Sequence, residues 1–238
     1  MAIRLLTFDL DNTLWDTDPV IARAEKLTHD WVCSNVPQAA SLYSLDALLE
    51  YRNQIAASYP ELRFRVSELR REVMLRVFLQ AGIERAQAQQ LAQESFDVFY
   101  RARSEITLFE GAEAILQQLG EDYPLMALTN GNADLGLIGI QDLFSAHFNA
   151  EQVGAPKPQP DLFEAALQAS GVEAHECIHI GDHQEQDVVA AARLGINTIW
   201  VNLADSAWAE TDAQPDQEIT HLSQLPAAVR AIAQAQSD

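Results

Sequence analysis

Asp9 and Asp11 flank Leu10 at the end of a short apolar run, IRLLTF, over residues 3–8. Spacing by two puts both carboxylates on one side of an extended chain. Two like charges roughly 4 Å apart repel by about 4 kcal/mol at an effective dielectric near 20, so a cation or a shared proton is needed to relieve them. Taken alone, the pair fits a solvated loop as well as a site. It has company, however. Asp182 follows Gly181 at the end of a second apolar run, CIHI over 177–180, and Asp187 lies five residues further on, entering a helical stretch. Thr129, Asn130 and Gly131 end a third run, PLMALT over 124–129. Clustered carboxylate oxygens suit a hard divalent cation such as Mg²⁺, which keeps several waters and binds substrate phosphate. Thr129 offers a hydroxyl, and the turn TNGN that it opens can point backbone N–H groups at an anion. Lys157, between Pro156 and Pro158, is the only lysine outside residues 19–107.

These residues need elements to hold them. The runs at 3–8, 124–129, 177–180 and 197–201 are apolar without helical spacing, the pattern of strands buried on both faces of a parallel sheet. Helical patterns lie between them at 110–119, 159–170 and 184–194, with Gly171 and Gly195 where a helix stop is expected. Alternation of this kind reads as an α/β fold with a Rossmann-like parallel sheet and helices on both faces. In such sheets ligands bind outside the carboxyl ends of the strands. Residues 19–107 show no comparable strands, only helical stretches near 19–34, 45–58, 66–81 and 85–103. Val66, Leu69, Val73 and Val77 repeat at three- and four-residue spacing and read as the core stripe of a helical bundle. The expected layout is an α/β core from 1–15 and 108–238 interrupted by an all-helical insert at 16–107. Only the final QAQSD reads as a frayed tail.

The chain of 238 residues and 26.4 kDa suffices for such a domain with its insert, and 48% apolar residues are enough for a core without disulfide or metal support. Its formal charge of −20 is unevenly spread. Residues 19–107 hold eleven acids and eleven bases, whereas the remainder holds twenty-four acids against four bases: Arg4, Lys157, Arg193 and Arg230. So acidic a surface disfavours nucleic acid and anionic membrane as partners. Cys33 and Cys177 form no CxxC pair, which fits a reducing compartment. No stretch of about 18 apolar residues occurs. The expectation is a cytoplasmic protein acting on a small molecule, with its oligomeric state open.

Asp9-Leu10-Asp11-Asn12-Thr13, Thr129, Lys157-Pro158 and Gly181-Asp182 with Asp187 fall in the order of the four signature motifs of the haloacid dehalogenase superfamily. The chain resembles that family over its whole α/β part, and the insert resembles the family's helical cap of the first type. The resemblance implies a Mg²⁺-dependent phosphatase working through an aspartyl-phosphate. Asp9 would be the nucleophile and Asp11 the general acid and base. Asp9, the Asp11 carbonyl and Asp182 would hold Mg²⁺, with Asp187 as an outer or orienting ligand. Thr129 and Asn130 would bind phosphoryl oxygens, and Lys157 would offset charge. Superfamily dehalogenases lack an acid two residues after the nucleophile, because halide leaves without a proton; Asp11 therefore argues for phosphate chemistry. His183 departs from the Ser or Asp that many relatives carry after this Gly-Asp, and reads as a helix N-terminal residue without catalytic duty.

The insert is expected to cover the site and read a small phosphorylated metabolite. Within it, Glu68 and Glu72 can pair along the helix with some of Arg63, Arg65, Arg70 and Arg71. Arg70 and Arg71 read as a solvated face, whereas Arg63 and Arg65, flanking Phe64, are the better substrate candidates. Trp15 is placed to stack on a planar leaving group or to pack at the junction with the insert. LTFDLDNTLWDTDPV, LTNGNADL and RFR together resemble a bacterial subgroup acting on flavin mononucleotide and on the ribitylaminopyrimidine phosphate of riboflavin synthesis, which has Tyr where this chain has Trp15. A phosphotransferase or mutase on the same scaffold, and a non-catalytic binding module, are the other readings.

Overall fold

The computed structural model describes residues 2–209 and 213–236. It falls into two compact units, Met1–Asp16 with Thr107–Asp238, and Thr17–Ile106. The first is built on six parallel strands: β1 (Leu5–Phe8), β2 (Leu125–Thr129), β3 (Ala146–Asn149), β4 (Cys177–Gly181), β5 (Asn197–Val201) and β6 (Gln217–Ile219). Their order is β3-β2-β1-β4-β5-β6. Every residue of β1, β2 and β4 is buried, as a sheet covered on both faces requires. Leu5, Met126, Leu128, Phe163, Cys177 and Ala191 share one apolar cluster.

The order reverses direction at β1, so β1 and β4 border the crevice where open α/β sheets bind ligands. Thr7 pairs with His179 and Phe8 with Ile180, and the Asp9 N–H donates to the Ile180 carbonyl at 2.8 Å. The register thus sets Asp9 next to the Gly181-Asp182 segment.

β3, β6 and the helix Leu225–Ala235 lie outside the elements expected from the sequence. β3 is half-buried and β6 has three residues, too short for a periodic signal. The helix was legible: Leu225, Ala228, Val229 and Ile232 are buried at three- and four-residue spacing. Of the expected tail, Gln234 and Ala235 close this helix and Gln236 donates to Asn197 at 2.8 Å, while Ser237 and Asp238 lie outside the described residues. Over 184–194 the chain is not one α-helix; a π-helical turn, Gln184–Val189, precedes a short α-helix, Ala190–Arg193.

The second unit is all-helical, with long helices Thr17–Asn35, Leu45–Ser58, Val66–Gln80 and Arg85–Ser104. Leu69, Val73 and Val77 are buried in it, and Val66 is half-buried. Arg70 departs from the solvated face expected of it. Its guanidinium lies 3.4 Å from the centre of the Phe99 ring and 2.7 Å from Glu25, which also binds Arg52. Burial pulls the Arg70 pKa down to about 10, still cationic at neutral pH. Arg71 sits over Phe96; of the two acids expected to pair along this helix, Glu68 takes Arg65, as expected, and Glu72 takes Arg76. No helix among the described residues is long and apolar enough to cross a membrane.

Candidate active site

Five polar side chains meet at the carboxyl ends of β1 and β4. Lys157 is buried, and its Nζ donates to Asp9 Oδ1 at 2.7 Å, to Asp187 Oδ1 at 2.5 Å and to the Leu128 carbonyl at 2.9 Å. Thr13 donates to Asp9 Oδ2 at 3.2 Å or to Asp182 Oδ1 at 3.1 Å, and its Oγ1 accepts the Asp182 N–H at 3.1 Å. Carboxylate oxygens of Asp9, Asp182 and Asp187 lie within 4.8 Å of one another. One ammonium is thus set against three crowded carboxylates. Oxygen donors at this density fit a hard divalent cation.

Electrostatics separates the three acids. Burial raises Asp187, but the Lys157 ammonium and the His179 hydrogen bond outweigh it and hold the carboxyl below its usual range. Burial pushes Asp9 up, further than Lys157 can draw it back, with Asp187 and Asp182 adding to the rise. Asp182 is raised to about 6 by burial and then by Asp187. Burial draws the Lys157 pKa down, but Asp187 and Asp9 outweigh it and hold the ammonium above its usual range, so it stays charged.

Asp187 reaches the cluster because Gly181 lacks a side chain. A Cβ there would lie 2.5 Å from Asp187 Oδ2 and 2.6 Å from its Cβ. Oδ2 instead accepts the His183 N–H at 2.9 Å, and Oδ1 lies 3.2 Å from His179 Nε2. Thr7 Oγ1 lies 2.9 Å from His179 Nδ1. Burial lowers the His179 pKa, so the ring is neutral. Both oxygens of Asp187 are therefore engaged by the protein.

The other residues singled out in the sequence are more dispersed. Asp11 is half-buried, and its Oδ1 accepts the Trp15 indole N–H at 3.0 Å. Trp15 itself is fully buried, with packing rather than an open ring face as its setting, and its indole N–H is the donor to Asp11. Thr129 is buried at the end of β2 and its Oγ1 accepts the Gly131 N–H at 2.9 Å. The Asn130 amide accepts the Lys157 N–H at 2.7 Å and donates to the Lys157 carbonyl at 2.9 Å, tying down the loop that carries the lysine. His183 caps the π-helical turn, its Nδ1 accepting the Glu185 and Gln186 N–H groups at 3.2 Å each. Arg63 and Arg65 belong to the helical unit. Arg65 pairs with Glu68 at 3.2 Å, and Arg63 is exposed.

Thr13, Thr7 and His179 were not assigned roles from the sequence. Thr13 follows Asp9 by four residues within the first motif, and Thr7 and His179 are the polar members of otherwise apolar strands. Those interruptions were the available signal.

A family model for haloacid dehalogenase-like hydrolases matches residues 3–195. The chain is 32% identical to the 5-amino-6-(5-phospho-D-ribitylamino)uracil phosphatase YigB of Escherichia coli K12 over 226 residues, 94% of each protein. It is 33% identical to a phosphoserine phosphatase of Thermus thermophilus over 156 residues, 63% of this chain and 62% of that one. Among solved structures, a 2-haloacid dehalogenase from Pseudomonas syringae pv. Tomato DC3000 superposes with a TM-score of 0.91 at 38% identity, covering 96% of this chain and 99% of that one.

Proposed function

Since the chain belongs to the haloacid dehalogenase-like hydrolase family, we propose that it hydrolyses a small phosphate monoester through a phosphorylated Asp9. One observation carries this reading: a buried lysine shared by Asp9 and Asp187, with Thr13 bridging Asp9 to Asp182. That arrangement supports Asp9 as the attacking carboxylate within a preorganised electrostatic frame.

Asp9 attacks phosphorus, forming an O–P bond as the bond to the leaving oxygen breaks. Asp11 donates its proton to that oxygen. Asp11 then takes a proton from the water that attacks phosphorus, which frees Asp9 and releases inorganic phosphate. Two easier displacements replace one hard one, and proton transfer contributes roughly 10²–10⁴-fold. Lys157 offsets charge between the nucleophile and the phosphoryl oxygens. Thr129 and the backbone N–H of Asn130 hold those oxygens, because the Asn130 side chain is already committed to Lys157. The crowded oxygens of Asp9 and Asp182, with the Asp11 carbonyl, would hold Mg²⁺, and Asp187 would orient its surroundings. When bound, the cation neutralises charge on the phosphoryl group.

Similarity to YigB along nearly its whole length supports a riboflavin-pathway phosphate or flavin mononucleotide as substrate. Arg63 and Arg65 are the contacts we assign to the helical unit, as the cap over such a substrate. The likeness to a 2-haloacid dehalogenase favours a second reading. Asp11 speaks against it, since halide needs no proton to leave and an alkoxide does.

The test is phosphate release from flavin mononucleotide, nucleotides and sugar phosphates, with Mg²⁺ or with EDTA, alongside chloride release from 2-chloropropionate. Mg²⁺-dependent phosphate release that disappears in Asp9→Asn is expected, with no chloride. Chloride release without phosphate release would transfer the site to the dehalogenase reading.

A further inference from the structure

A groove of about 800 Å³ opens beside Asp182, lined wholly by residues of the α/β unit. Its volume is in the range of pockets that take small ligands, roughly 300–1,000 Å³. One wall is the helical face of Glu185, Val189 and Arg193, at four-residue spacing; the other is the loop that follows β5. Residues 202–209 of this loop are fastened at several points. Gln184 donates to the Ala207 carbonyl at 2.9 Å and accepts the Ala209 N–H at 2.8 Å. Asn202 donates to the Ser206 carbonyl at 2.9 Å and accepts its N–H at 2.8 Å. These bonds hold that stretch of the wall in place.

Two of its residues keep hydrogen-bonding capacity to spare. The His183 Nδ1 is occupied as an acceptor from two backbone N–H groups, so the neutral ring must carry its proton on Nε2, a donor in a fixed tautomer. Arg193 is exposed and forms no ion pair among the described residues. Outside the helical insert bases are scarce, and Arg4 and Lys157 are already tied to Glu176, Asp9 and Asp187. A position in the last turn of a helix suits any cation. That alone does not account for a groove lined by both Asp182 and a guanidinium without an ion pair among the described residues, with Phe109, Val189 and Leu203 as apolar cover.

We propose that this groove receives the leaving group's planar heterocycle, whose ring carbonyl oxygens accept from His183 Nε2–H and the Arg193 guanidinium. Specificity is then read in part within the α/β unit, and the ligand class is a phosphorylated polyol bearing a carbonyl-substituted ring. The inference rests on the phosphatase reading above. A guanidinium suits it because its planar fork can engage a carbonyl edge with two donors.

The test compares flavin mononucleotide with ribose 5-phosphate, which lacks the ring, on the full chain with Mg²⁺. Arg193→Gln should raise the ratio of the two KM values about tenfold, the scale of one lost hydrogen bond to a charged group. His183→Asn, which retains a capping oxygen, should raise it severalfold. Riboflavin as a competitive inhibitor should weaken in parallel, a readout that involves no phosphoryl transfer. An unchanged ratio in both variants overturns the proposal. So does a wild-type enzyme that hydrolyses ribose 5-phosphate and refuses flavin mononucleotide. Failure on both esters and on every other phosphate ester overturns the phosphatase reading, and the groove assignment with it.

Discussion

In the proposed mechanism Asp11 passes a proton, and the Trp15 indole N–H is a group that can aim its carboxylate. Trp15 was legible as a flat aromatic beside the first motif, but its direction was not, because an adjacent position in sequence does not say which way a ring turns. Fully buried, it holds Asp11 at 3.0 Å. Trp15→Phe keeps most of the packing and removes the donor. A hydrogen bond to a charged acceptor is worth about 1.5–3 kcal/mol, so kcat on alkyl phosphates should fall about tenfold or more. Aryl phosphates, whose leaving groups need less protonation, should lose less; equal losses on both would mean that Trp15 acts only through packing. Asp9 and Asp182 were legible as acids at strand ends, Asp187 as an acid entering a helix, and Lys157 as the lone lysine outside residues 19–107. Which oxygen meets which donor was not, since those contacts join positions up to 169 residues apart.

At the scale of elements, β4 and the turn after it form one device. Alternation along β4 puts His179 and Gly181 on the same face, and the missing Cβ of Gly181 leaves the slot that the Asp187 carboxylate fills. The turn is π-helical, a form often found at functional sites. Gly181→Ala should displace Asp187, at a cost of about 1–3 kcal/mol for an overpacked site. Activity should fall further than that stability loss explains at a temperature where the variant is still folded. A variant with wild-type kcat would show that the Asp187 position is not critical. In the helical unit, Glu25 is the shared partner of Arg52 and Arg70 in a partly buried setting, where removing one partner of an ion pair is costly. Glu25→Gln should lower stability by about 2 kcal/mol, read from denaturant midpoints. Helix periodicity made the Leu69, Val73 and Val77 stripe legible, but it could not show that Arg70 turns inward to reach a residue on another helix.

For the molecule as a whole, crowding acids around a single lysine makes stability depend on pH and cation. Asp182 has its folded pKa raised to about 6, above its value of about 4 when unfolded. Its stabilising contribution is therefore complete below about pH 4 and lost as pH rises through 6. With EDTA present, the melting temperature should carry this decline between about pH 4 and 6. Added Mg²⁺ should raise the melting temperature more at pH 7.5 than at pH 5, because the ionised carboxylate binds the cation. Equal shifts at the two pH values would remove Asp182 from the cation's surroundings. The α/β class, the helical insert, the charge contrast between them and the acids at the strand ends were all readable along the chain. Those follow from local periodicity, composition and motif order, which are properties of short segments. Tertiary structure alone decided the strand order that brings β1 beside β4, the partners of Lys157, the burial of Trp15 and the groove beside Asp182. Each of these depends on contacts between segments far apart in the chain, and no local pattern encodes such distances.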